Sequence, residues 1–107
     1  METSVTFEEY ALIVKQLAGQ KPEKAYIQDS EMFFVCNGSP HKVGVRGGGT
    51  DWVSEPGIAF EVFDKLWGEF RIATRGYYSG HEERDQAFAD KLTEVLQHFL
   101  SYTRSNI

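Results

Sequence analysis

The chain holds 107 residues, 41% hydrophobic and 14% aromatic, with sixteen acidic against eleven basic side chains and a formal net charge of −5. That length accommodates one domain, the apolar content offsets the ordering entropy that keeps polar chains unfolded, and the shortage of Lys and Arg argues against a phosphate-coating nucleic-acid surface. The lone Cys36 excludes an internal disulfide and a multi-cysteine metal site, which fits a reducing cytoplasm.

The opening residues 1–9 lack the basic start and apolar run of an export signal, and no apolar stretch has the length of a bilayer span, so neither export nor a membrane is expected. Thr6 and Glu9 have capping-box spacing, and Phe7, Tyr10, Ala11, Val14, Leu17 and Ala18 recur at helical spacing, which predicts a first helix over 7–18. Gly19 and Pro22 stop it. From Lys24 to Cys36 the side chains are aromatic and β-branched, and Asp29-Ser30 marks a tight turn between two short strands. Asn37-Gly38 marks the next turn, followed by a third strand over 41–46 with Val43 and Val45 on one face and Lys42 and Arg46 on the other.

The glycine run Gly47-Gly48-Gly49 closes that strand. Three glycines lose more freedom on folding than any other residues would, and they let backbone approach a ligand closely. Beyond it, Ile58, Phe60 and Val62 alternate as in a strand, while Ala59, Val62, Phe63 and Leu66 also fit a helical stripe. The strand is the favoured reading, with Ile58 and Phe60 beside Phe70 and Ile72. The rival is a short helix from Ser54-Glu55-Pro56 to Gly68. On either reading, residues 69–75 are expected to form a strand. Ser79 and Glu82 repeat the capping-box spacing, and Phe88, Leu92, Val95, Leu96, Phe99 and Tyr102 line one face of a long helix reaching about Tyr102. The sum is an α+β two-layer sandwich, a mainly antiparallel four- or five-stranded sheet covered by an N-terminal helix and a long C-terminal helix.

Three constellations carry possible chemistry. His81-Glu82-Glu83-Arg84-Asp85 has the metalloprotease His-Glu-x-x-His spacing with the second His replaced by Asp, and acidic side chains in a first turn are what the helix dipole favours without any metal. Gly44-x-x-Gly47-Gly48-Gly49-Thr50 offers backbone donors to an anion with Arg46 as the charged contact, but it lacks the Lys-Ser/Thr of a phosphate loop. Cys36, His41 and Asp51 supply nucleophile, base and orienter types without a telling spacing, and Cys36 ends an apolar run, as a small buried side chain does.

No coherent catalytic set, cofactor site or metal site emerges. What does is a group of aromatic residues in or beside turns, the kind that anchor interfaces. The expectation is a non-catalytic protein-binding module of the inhibitor, immunity-type, chaperone or adaptor kind, contacting its partner through Arg46, Gly48, Trp52, Trp67, Tyr77 and Tyr78. A basic protein is favoured by the net charge, and a homodimer is a further expected form. The alternative is a small-molecule, anion or nucleotide site in the 44–52 loop, with or without enzymatic activity.

Overall fold

The computed structural model describes residues 5–47, 51–55 and 60–105, with the backbone alone described at Phe60 and over 102–105. In chain order it contains α1 (Phe7–Gln16), β1 (Lys24–Gln28), β2 (Glu31–Cys36), β3 (Ser39–Arg46), β4 (Trp52–Ser54), α2 (Phe60–Ala73) and α3 (His81–Ser105). The four strands form one antiparallel sheet in the order β1-β2-β3-β4, and the helices pack against one face. This is the α+β two-layer arrangement expected from the sequence.

Local chemistry accounts for the elements. The capping box at α1 is complete: the Thr6 amide donates to Glu9 Oε1 at 2.9 Å and the Glu9 amide to Thr6 Oγ1 at 3.1 Å. Helix α1 stops at Gln16, slightly short of the expected end, because Ala18 and Gly19 both turn to positive φ. Asp29-Ser30 and Asn37-Gly38 also both take positive φ, the geometry that lets a two-residue hairpin follow the twist of its strands, so β2 and β3 begin directly after them.

The register between β2 and β3 jumps from Met32↔Gly44 to Phe33↔Lys42, leaving Val43 as the extra residue of a β-bulge. The bulge resets the alternation of β3. Val43 and Gly44 are both buried, after which Val45 turns outward and Arg46 turns in toward the helices. The expected placement of Arg46 on the outer face with Lys42 is thereby corrected, while Lys42 does lie outside, 3.1 Å from Glu31 and 3.8 Å from Glu55. Gly44 sits under α2: a Cβ there would stand 2.7 Å from Phe63 Cζ, so this glycine sets how closely the helix approaches the sheet.

The stretch from 60 to 73 is one helix, and the strands expected over 58–67 and 69–75 do not form; residues 56–59, including Ile58, lie outside the described residues. Burial explains the outcome. Val62, Phe63, Leu66 and Trp67 are buried and Phe70 packs against the same core, a stripe that only a helical period supplies. Gly68, expected to end a helix, lies within it with open space around its α-carbon, at a cost of about 1 kcal/mol that the buried stripe offsets. The fourth strand is instead β4, immediately before this segment.

Helix α3 starts at His81, with the Gly80 carbonyl accepting the Arg84 amide at 3.3 Å. The spacing of Ser79 and Glu82 therefore falls one residue early for a capping box. Its apolar face buries Phe88, Leu92, Val95, Leu96 and Phe99, as expected, with Phe99 stacked on Tyr10 of α1 at 4.8 Å between centroids. Thr93 secures the sheet edge: its hydroxyl accepts from the Ala25 amide at 2.9 Å and lies 3.2 Å from the Ala25 carbonyl, occupying backbone groups that an edge strand would otherwise expose. Among the described residues no helix is long and apolar enough to cross a membrane.

Candidate functional site

The bulge in β3 creates the first of two arginine–aromatic clusters. The Arg46 guanidinium, pointing inward, bonds the Asp85 carboxylate of α3 and lies over the Trp52 ring, its carbon 5.3 Å from the ring centroid. Asp85 is 2% exposed and is the buried charged side chain among the described core residues. Its other oxygen is 3.7 Å from Arg84 Nε, and Arg84 in turn lies 5.0 Å over the Trp67 ring. One buried carboxylate thus sits between two guanidinium groups, each laid against an indole, and ties β3 and α3 together.

The expected contact residues of this region are placed as follows. Trp52 and Trp67 are 2% and 5% exposed, so neither indole stands out from the surface as expected of loop aromatics. Trp52 is buried because it pairs with Arg46 on the inward side of β4, and Trp67 because it belongs to the apolar stripe of α2. The two do line one shallow hollow of about 340 Å³, with Asp51, Asp64 and Arg71 at its rim. Arg46 is bonded to Asp85 and lies over Trp52. Gly48 lies outside the described residues.

The second cluster stands where α2 ends and α3 begins. Tyr77 is 76% exposed and Ile72 74%, the largest exposures of any large hydrophobic side chains described. Tyr78 is half-buried, stacked on Phe70 at 6.4 Å, and Phe70 is stacked on Trp67 at 6.2 Å, so the corner is fixed to the core through a run of rings. An open cleft of about 680 Å³ runs beside it, lined by Arg71, Thr74, Arg75, Tyr78 and Arg84 with Ile72 at the edge. Of the expected contact residues, this corner therefore brings together Tyr77 and Tyr78.

Ile72, Arg71, Arg75 and Arg84 were not among the expected contact residues. One signal was present: three of the five arginines in the chain fall between 71 and 84. Read as a strand, the stretch 69–75 separates those side chains; as a helix end and turn, it gathers them around a single cleft.

The remaining constellations are placed as follows. Cys36 is fully buried, and burial followed by the charge of Glu23 pushes its thiol above the usual range, away from the thiolate a nucleophile needs. Asp51 pairs at the surface with Arg71 at 3.4 Å. In the segment with metalloprotease spacing, Asp85 is already bound by a cation of the protein itself, and among the described residues no group of three His, Cys, Asp or Glu is placed to hold a metal. Gly44, the first glycine of the suspected phosphate loop, is a mid-strand residue beneath Phe63.

No family model, curated protein or solved structure matches the chain.

Proposed function

We propose that this protein is a non-catalytic protein-binding module that docks its partner at the α2–α3 corner, with Ile72 and Tyr77 as apolar anchors. The observation that carries the reading is their exposure, 74% and 76%, five positions apart at one helix end whose neighbouring rings are locked into the core. Large apolar side chains left in water gain free energy when a partner covers them, and tyrosine is among the residues enriched at binding hot spots. An acidic body around an arginine-rich corner also divides the labour by charge. The net charge of −5 speeds encounter with a basic protein, whereas the corner itself favours an acidic or anionic contact, so the basic-partner expectation does not extend to that surface.

The alternative is an anion or nucleotide site in the 44–52 loop, where Arg46 is directed inward to Asp85 and residues 48–50 lie outside the described residues. The protein-binding reading is tested with the double variant Ile72→Asp, Tyr77→Ser. The wild type is expected to recover a stoichiometric partner from source lysate, or to dimerise by sedimentation, and the variant to lose that association while keeping the wild-type unfolding midpoint. A wild type that is monomeric and recovers nothing, or a variant that associates as well as the wild type, overturns it.

A further inference from the structure

We infer that the cleft between the end of α2 and the start of α3 binds the phosphoryl group of a phosphate monoester, gripped by Arg71, Arg75 and Arg84. The chain carries sixteen acidic and eleven basic side chains, yet this cleft is lined by three arginines and no carboxylate. Charge so concentrated against the overall balance marks the place where an anion lowers its energy on this surface. Among the described ion pairs, Asp51 faces Arg71 and Asp85 faces both Arg46 and Arg84, while Arg75 faces no carboxylate.

The geometry favours a phosphoryl group over a carboxylate. A guanidinium presents its donors as a fork that spans two oxygens, and one carboxylate satisfies one such fork, whereas a phosphoryl group offers three oxygens and nearly two charges. Two of the three forks are already positioned. Arg71 is held by Asp51 at 3.4 Å, and Arg84 is laid over Trp67 and set 3.7 Å from Asp85, so ordering them costs less on binding. Arg75 is exposed and has no ion pair among the described residues. It follows α2 directly in the turn containing Gly76, whose φ of +81° lets the chain reverse there. The carbonyl end of α2 adds partial negative charge, so the arginines, and not the helix dipole, supply the attraction.

At about 680 Å³ the cleft is roomier than a bare phosphate, and Tyr78 and Ile72 form a wall against which the esterified group can lie. The three arginines carry the inference, and not the exposure of Ile72 and Tyr77, although Ile72 borders both surfaces.

The test is a two-dimensional NMR titration of the full chain, following the arginine Nε–H signals and the backbone amides of 71–84 at constant ionic strength. Three probes are used: inorganic phosphate, a short phosphoserine peptide and its unphosphorylated counterpart. Saturable shifts of Arg71, Arg75 and Arg84 are expected with a phosphorylated probe and not with the unphosphorylated peptide. Binding of the peptide more tightly than of inorganic phosphate assigns the source to a modified protein, and the reverse order to a small metabolite; both sustain the site. Arg75→Glu is expected to weaken binding by roughly tenfold or more, while Lys24→Glu, the same change of charge outside the cleft, leaves it unaltered. Absence of shifts with every probe, or equal binding by Arg75→Glu and wild type, overturns the inference. Neither result bears on the partner recovery assay, so the two proposals fail separately.

Discussion

Arg46 and Arg75 sit at opposite ends of one chemical theme. The first lies inside, bonded to a buried carboxylate and laid on a buried indole; the second lies exposed just after α2, with no ion pair among the described residues and two positions before the exposed Tyr77. The side-chain types are the same, and the backbone decides between them. An extra residue in β3 rotates Arg46 toward the helices, whereas the turn at Gly76 leaves Arg75 standing at a corner. Arginine near aromatic residues is thus a buried cross-brace in one region and an exposed corner in the other, and composition alone does not distinguish them.

The sharpest way to break the comparison is at the brace. Asp85→Ala leaves two guanidinium groups facing an empty apolar site, and the expected loss is about 3 kcal/mol, read by urea unfolding. If the pair is a brace and not a site, replacing both partners with apolar residues, Arg46→Met with Asp85→Leu, recovers most of that loss. A loss for Asp85→Ala no larger than that of a surface substitution would mean the two regions do not differ as described.

Gly44→Ala tests the surface on which the brace is assembled. A methyl group there meets the Phe63 ring at 2.7 Å, and the ring is itself packed on Phe88 at 5.7 Å, so an overpacking cost of about 1 to 3 kcal/mol is expected in thermal or urea unfolding. Gly68→Ala, in open space on the same α2, should do the opposite and stabilise by about 0.5 to 1 kcal/mol.

Glu9 gives a smaller, pH-dependent contrast. The Thr6 amide hydrogen bond, aided by Lys65 at 3.0 Å, holds the Glu9 carboxyl below its ordinary value of 4.5 against a smaller opposing effect of burial. A depressed folded value means that the carboxylate stabilises the fold at pH values above 4.5, and that this contribution fades as pH falls through the folded value. Unfolding midpoints of wild type and Glu9→Gln should therefore differ at neutral pH and converge in acid. A constant difference across that range would contradict the assignment.

The smallest expected stability effect is at the corner. Arg75→Ala should change unfolding free energy by no more than about 0.5 kcal/mol, since the side chain is exposed and has no ion pair among the described residues. A loss as large as that at Asp85 would make the corner another brace.

Much of the fold was legible in the sequence because local signals and burial agreed. The Thr6/Glu9 box, the Asp29-Ser30 and Asn37-Gly38 turns and the apolar stripe of α3 each appear where the residue types place them. The segment 58–75 was misread because a short apolar alternation and a helical stripe share several positions, and Gly68 resembled a terminator; burial of Val62, Phe63, Leu66 and Trp67 against the sheet, a tertiary effect, decides for the helix. The bulge at Val43 has no signature in a single chain, so the inward turn of Arg46 was not legible, nor was its meeting with Asp85 thirty-nine residues away. Of the corner, Tyr77 and Tyr78 were legible as turn aromatics. Its arginines were not, because they converge only once 60–73 is helical.

Hydroxyl-radical footprinting of the aromatic side chains, in the free protein and with its recovered partner bound, tests the division between brace and contact surface most directly. The account predicts that Tyr77 labels readily when free and is protected in the complex, while Trp52 and Trp67 stay protected in both. Indoles that label in the free protein and become protected on binding, with Tyr77 unchanged, would contradict it.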